Sequence, residues 1–358
     1  MSSTLLVRPT VRPALGVTMV IAAATTFALN GTVSKLLIQG GFDPPQLTTF
    51  RATGAFLGLL AFILVTRGPR PLKASRREIP RLIIFGLVGF FLVPMLYFVA
   101  ISRLPVGIGL LFEFTAPAFV ALWVRFGEHQ QVRRRLWVGL GLCLVGLASV
   151  TQIWAGELSL DGLGILAGLT SAVLLAVFYV LGSKTVTTRD PLSLTCWAFG
   201  VSAVAGAVVR PWWNFDAGML LRSSGGYPMW LLCLYLIILG TMIPYLLITN
   251  SMQHLPPTSV GIISMTEVVL ASAFAWVLLG ENLNAAQVIG GSILVAGVIL
   301  AESARVVRGP RDEDRERTGP RSPARTAKAG GSAGGVRGAR DEDRGRTGPR
   351  GMAEVPPT

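Results

Sequence analysis

Glu113, Glu267 and Arg51 each stand inside a stretch of sequence that is otherwise apolar. An acidic side chain at the centre of a membrane helix costs about 2.5–3.5 kcal/mol on insertion scales. Such a group is kept where it faces a wet cavity, pairs with a cation or carries a proton. Burial favours the protonated form, the property a proton-coupling group needs; the bland alternative is a structural carboxylate bonded to a neighbouring helix. Arg51 could grip a carboxylate through two parallel hydrogen bonds, pair with a glutamate, or reach out to the membrane surface. Asn30, Tyr97, Tyr179, Tyr245 and Asn250 are isolated polar side chains in apolar runs. They either line the same cavity or bond across helices. Pro94, Pro117 and Pro244 fall in mid-run. Each removes an amide donor and frees a carbonyl, which offers backbone polarity to a solute or only shapes a kink. Gly139 and Gly146, like Gly290 and Gly297, are seven residues apart, so each pair marks one helix face for close packing. Lys35 and Lys184 read as interface anchors, and His254 as an exposed loop residue.

The elements that position these residues follow from composition. The 358-residue chain is 51% hydrophobic and only 14% charged, with a mean hydropathy of +0.58. A bilayer core needs about 20 apolar residues per helix, and ten such blocks can be counted: 14–38, 45–66, 80–102, 105–127, 136–154, 161–182, 191–210, 228–251, 256–280 and 285–302. This excludes a soluble enzyme, a disulfide scaffold and a wholly disordered chain, and leaves no extramembrane domain large enough for an active site. Cys143, Cys196 and Cys233 lie inside the blocks without metal spacing and read as packing residues. With two histidines and no catalytic motif, no enzyme activity, metal or cofactor is expected.

Lys and Arg set the orientation. Connector 67–81 carries Arg67, Arg70, Lys73, Arg76, Arg77 and Arg81; 128–135 carries Arg133, Arg134 and Arg135; 183–190 carries Lys184 and Arg189. The opposite connectors 39–44, 155–160 and 281–284 have none, and Arg103, Arg210 and Arg222 are the exceptions on that face. Both termini are therefore expected in the cytoplasm, with Trp137, Trp154, Trp212 and Trp213 at the membrane boundaries. The sequence pI near 10.7 fits loops facing anionic lipid better than nucleic acid. The first block, with no small-residue cleavage site, reads as a retained span and not a signal peptide.

The chain is internally duplicated. Leu104-Pro105 recurs as Leu255-Pro256, Gly139 and Gly146 recur as Gly290 and Gly297, Ser34-Lys35 as Ser183-Lys184, Asp43-Pro44 as Asp190-Pro191, and Gly127-Glu128 as Gly280-Glu281. Five spans per half is an odd number, so the halves must be inverted. Connector 67–81 has six basic residues where its counterpart 211–227 has one, Arg222. The expected fold is an all-α membrane protein of ten transmembrane helices, built as two inverted five-helix repeats: 1–13 a cytoplasmic N-terminus, 14–154 and 155–302 the repeats, and 303–358 a tail. The tail holds 13 basic and 8 acidic residues and repeats Arg308–Arg321 as Arg337–Arg350. Rich in Gly, Pro, Arg and acids and without apolar periodicity, it reads as disordered.

The segments Leu104–Glu128 (LPVGIGLLFEFTAPAFVALWVRFGE) and Leu255–Glu281 (LPPTSVGIISMTEVVLASAFAWVLLGE) resemble the paired signature of EamA-domain carriers of the drug/metabolite transporter superfamily. The phrase FEFTAP is closest to the homoserine/threonine exporter branch. Two departures stand out: Val268 replaces a usual proline, and the first half is two residues shorter between Pro117 and Glu128. The resemblance implies a cavity between the halves, lined mainly by the first, third, fourth, sixth, eighth and ninth helices. It also implies export of amino acids or related small metabolites across the bacterial cytoplasmic membrane, coupled to protons or run as exchange. Glu113 and Glu267 are then the charge-carrying candidates. The alternatives are a passive facilitator or exchanger of the same fold, or a membrane-embedded enzyme or scaffold. The partners expected are a small-molecule substrate, the lipid bilayer and protons, with no nucleic acid, in a monomer or weak homodimer.

Overall fold

The computed structural model describes residues 11–154, 161–211, 216–279 and 284–304. The Gly280-Glu281 repeat mate, Trp212, Trp213, the first ten residues and the tail beyond residue 304 lie outside the described residues. Among the described residues, ten helices are long and apolar enough to cross a membrane. They are α1 (Pro13–Gln39), α2 (Pro44–Thr66), α3 (Ile79–Arg103), α4 (Val106–Gly127), α5 (Arg134–Thr151), α6 (Gly162–Thr185), α7 (Pro191–Val209), α8 (Met229–Ser251), α9 (Pro257–Ser264 continued by Thr266–Leu279) and α10 (Ala285–Ser303). The connector after α7 holds a 3-10 turn, Ala217–Leu221, and a two-residue hairpin, Ser223–Ser224 with Tyr227–Pro228. Its turn is Gly225-Gly226 at φ of 57° and 81°, where a side chain would be strained.

The helix starts are written in the sequence. Asp43, Asp161 and Asp190 accept from the backbone amides of Gln46, Gly164 and Ser193, and Pro44 and Pro191 follow where a missing N–H is harmless. The Gly164 amide, helped by Arg103, holds the Asp161 carboxyl below the usual carboxylate range. Its cap therefore persists into mild acid and is lost only as pH falls through that lowered value.

Five of the helices, α1, α3, α4, α8 and α9, are interrupted, and this shapes the centre. In α3 and α8 the backbone widens into π turns at Leu87–Leu92 and Ile238–Met242, two residues before Pro94 and Pro244. Pro94 leaves the Phe90 carbonyl without its amide partner, and the Ser202 hydroxyl of α7 donates to that carbonyl at 2.8 Å. Helix α4 breaks after Glu113, where Pro117 withholds the amide that would reach the Glu113 carbonyl. Helix α9 breaks at the matching place, Met265, without a proline. The hydroxyls of Thr115 and Thr266 donate to the Phe112 and Ile263 carbonyls in the two breaks, so the local bonding repeats although the proline does not. Helix α1 also breaks, between Phe27 and Asn30.

The pairs α5–α10 and α2–α7 are among those that join the halves, beside α3–α6 and α1–α8. In α5 and α10, a Cβ on Gly139 would lie 2.8 Å from the Gly297 carbonyl, and one on Gly146 would lie 2.6 Å from the Gly290 carbonyl. The backbones touch, and the pairing is antiparallel. In α2 and α7 the ends exchange charges: Arg67 pairs with Asp190 at 3.3 Å, and Arg210 pairs with Asp43 at 3.0 Å.

Those pairs account for the exceptions to the charge pattern. Arg103, Arg210 and Arg222, the basic residues on the sparsely charged face, pair with Asp161, Asp43 and Asp216. Lys35 is more than an interface anchor: its ammonium donates to the Ile101 and Leu104 carbonyls at the end of α3. Lys184 pairs with Glu128 at 3.5 Å. His254 is not an exposed loop residue but half-buried, packed where a Cβ on Gly16 would touch it, with its Nδ1 unpartnered. All three cysteines are buried and free.

Candidate functional site

A central cavity of about 80 Å³ is lined by Asn30, Arg51, Pro94, Tyr97, Glu113, Tyr179, Tyr245, Ser264 and Glu267, with apolar side chains between them. That is room for several waters or a small solute. Helices α1, α3, α4, α6, α8 and α9 contribute, as expected, and α2 joins them through Arg51. Most of the polar residues singled out in the sequence therefore meet in one place. Asn250 does not: its amide donates to the Leu246 carbonyl of its own helix at 2.7 Å, and it does not line the cavity. Pro117 and Pro244 are buried behind the lining.

Arg51 is 1% exposed. It donates to the Thr241 hydroxyl and the Tyr245 hydroxyl, each at 3.3 Å, and its guanidinium carbon lies 5.4 Å from the ring centres of both Phe98 and Tyr245. Its Nε has no partner, and no carboxylate approaches within ion-pair distance among the described residues. The aromatic faces hold the cation, while its donors are under-used. This disfavours surface snorkelling, because the head points into the molecule. Thr241 lies in the π turn of α8; a lone threonine in an apolar run carries no signal that would have marked it. Asn30 is also buried with its Oδ1 unpartnered, 2.6 Å from where a Cβ on Gly240 would be.

Neither glutamate has an ion pair or hydrogen bond among the described residues. Glu113 ends the first half of α4, and Glu267 stands in the first turn of the second half of α9. Both are half-buried, open to the cavity. Glu267, with Leu110, also borders a second cavity of about 390 Å³. That space is flanked by Thr32, Thr151, Ser272 and Gln287, which lie in the parts of their helices nearer the sparsely charged connectors. Toward the basic connectors stands a cluster of aromatic rings packed edge-on or tilted. Phe90 lies 4.7 Å from both Phe199 and Tyr245 and 5.7 Å from Phe178.

This arrangement of broken apolar helices around a small charged hollow has relatives. The EamA-like transporter family matches the sequence twice, over residues 14–152 and 162–302. The chain belongs to the EamA-like transporter family. It is similar to an uncharacterized transporter of Archaeoglobus fulgidus, 27% identical over 281 residues that cover 78% of this chain and 94% of that protein. It is also similar to the threonine/homoserine exporter RhtA of Escherichia coli, 26% identical over 281 residues that cover 76% and 88%. A crystal structure shares the fold with a TM-score of 0.66 at 19% identity, over 81% of this chain and 97% of its own. The chain is thus a multi-pass membrane protein of a transporter family, and its double match agrees with the duplication read from the sequence. The EamA relatives named here are all transporters.

Proposed function

We propose that this EamA-family chain exports small amino acids or closely related zwitterions across the cytoplasmic membrane in exchange for protons, with both termini cytoplasmic. The carrying observation is the cavity's charge set: a buried Arg51 without an acidic partner, sharing one small hollow with two unpaired carboxylates. A zwitterion complements both signs. Its carboxylate takes the free donors of Arg51 in charge-assisted bonds, and its ammonium takes a glutamate. The branch of the RhtA exporter, named for threonine and homoserine, has substrates of this class, and Asn30, Tyr97 and Tyr179 offer polar contacts for a side-chain hydroxyl.

Coupling follows from competition. A proton and a substrate ammonium neutralise the same carboxylate, so each loading of the cavity excludes the other, and moving an uncompensated charge through a low-dielectric path is costly. Glu267 is the proposed exchange group because it touches both cavities, one at the substrate and one toward the sparsely charged face. The aromatic stack around Phe90 supplies the closed side, and opening it while closing the Glu267 side would alternate access. The halves are proposed to be inverted repeats. Gly139 against Gly297 and Gly146 against Gly290 exchange under the repeat offset, and the Arg67–Asp190 and Arg210–Asp43 pairs each join the C-terminal end of one of α2 and α7 to the N-cap of the other. Such reciprocity is what a two-fold axis in the membrane plane produces.

The test is export of labelled threonine or homoserine from vesicles under an imposed pH gradient. Glu267→Gln should lose the gradient-driven component and keep slow flux down the substrate gradient. Glu113→Gln should keep the drive and raise the apparent KM about tenfold or more, the worth of one charge-assisted contact. Full gradient-driven export by Glu267→Gln would refute the coupling assignment. Wild-type export that ignores the gradient would instead make the chain a facilitator or exchanger.

A further inference from the structure

A trough of about 770 Å³, much larger than the central cavity, lies on the outside of the bundle between α2, α3 and α7. Its walls include Phe56, Leu60, Ile83, Trp197 and Val204, and no charged side chain lines it. Seven residues of α7, between Cys196 and Ala205, line it, a stretch of about 13 Å at 1.5 Å per residue. Val204 is 63% exposed and Leu57, also in the wall, is 56% exposed, so the trough opens where the helices face the bilayer.

One end is roofed by connector 67–78, whose Leu72 lines the trough together with Ile79. This roof is fixed. Arg189 is pinned against Glu78 at 3.2 Å and donates to the Pro71 and Lys73 carbonyls. The Ser193 hydroxyl donates to the Pro71 carbonyl, and the Trp197 indole donates to the Leu72 carbonyl at 2.9 Å. Around it stand Arg70, Lys73, Arg76, Arg77 and Arg81, all exposed and none in an ion pair among the described residues. The contrast with the other face is sharp, since each basic residue named there has its own aspartate.

We infer that this is a binding site for an anionic phospholipid, one acyl chain lying in the α2–α3–α7 trough and the phosphate held by the fixed basic connector. The occupant follows from the two halves of the site. A dry, bilayer-facing slot takes hydrocarbon, and unpaired cations at its mouth take a negative headgroup. A soluble anion would leave the slot empty, and a zwitterionic lipid would leave the cations uncompensated. Because α2 carries Arg51 and α7 holds the freed Phe90 carbonyl of α3, an acyl chain wedged among these helices bears on the central cavity.

The experiment uses the full-length chain, purified in neutral detergent and stripped of lipid. Phosphatidylglycerol or phosphatidylcholine is added back, and bound lipid is counted by native mass spectrometry alongside the unfolding midpoint. Phosphatidylglycerol should be retained at about one per chain and raise the midpoint, and phosphatidylcholine should do neither. Neutralising Arg70, Lys73 and Arg77 together to Gln should weaken retention by roughly a hundredfold, on the scale of three surface cations near an anionic lipid. Neutralising Arg133, Arg134 and Arg135 to Gln should change it little. Equal retention of the two lipids, or equal loss in both triple variants, would overturn the site in favour of general surface charge. A phosphatidylglycerol with a photoreactive acyl chain decides the wild type without any variant. Crosslinks to α2, α3 or α7 support the site, and crosslinks confined to the remaining helices, or a second copy of the chain sealing the trough, overturn it.

Discussion

At the scale of single residues, the cavity is a problem of unsatisfied charge. Burying an arginine is tolerable when its stem and faces are packed, as Phe98 and Tyr245 pack Arg51, yet its spare Nε donor stays costly until something accepts from it. A bound carboxylate removes that cost. Arg51→Gln should therefore weaken substrate binding far more than it weakens folding. In binding measurements with labelled threonine the expected loss is about 10- to 100-fold, the worth of a hydrogen bond to a charged group. Arg51→Lys keeps the charge without the planar fork and should recover only part of it. Unchanged affinity in Arg51→Gln would remove the arginine from the site. The sequence marked Arg51, Glu113 and Glu267 because charge is rare inside apolar runs. It could not separate Asn250, which serves its own helix, from Asn30, which faces the cavity, since both are single amides in similar surroundings.

At the scale of elements, the span limits were legible and the breaks only partly so. Apolar run length places α2 at 45–66, against Pro44–Thr66 in the structure, because transfer from water dominates where such helices begin and end. Pro94, Pro117 and Pro244 pointed to three of the interruptions. The breaks in α1 and α9 have no proline to mark them, and a threonine bonded to its own helix, as Thr266 is to the Ile263 carbonyl, carries no distinct signal in the sequence. The α5–α10 contact supplies a clean prediction. A Cβ on Gly146 would sit 2.5 Å from the Leu294 amide nitrogen, whereas one on Gly141, in the same helix, meets nothing within 4 Å. Gly146→Leu should lower stability in detergent by about 1–3 kcal/mol or more, the cost of overpacking, and Gly141→Leu should be nearly silent. Equal unfolding midpoints for the two variants would contradict the backbone contact.

At the scale of the whole molecule, the halves interlock through helix ends and helix faces, and residues of both line the central cavity. The duplicated motifs were legible in the sequence and the family model matches it twice, while the reversed charge bias is the ground on which the inversion of the halves is proposed. The role of the exceptions was not readable, because Arg103, Arg210 and Arg222 look like stray charges until Asp161, Asp43 and Asp216 are seen beside them. The described lining of the cavity comes from α1, α2, α3, α4, α6, α8 and α9, so removing 305–358 should leave threonine export in vesicles within about twofold of the full chain; a complete loss would give that segment a direct part in transport. The most direct measurement concerns orientation. Cys143, Cys196 and Cys233 are buried, so a single exposed cysteine can be labelled against a quiet background. Lys73→Cys and Arg222→Cys, made separately in intact cells and treated with a membrane-impermeant thiol reagent, should react oppositely: the first protected until the cells are opened, the second labelled at once. Labelling of both from the same side would contradict opposed halves and the carrier built on them.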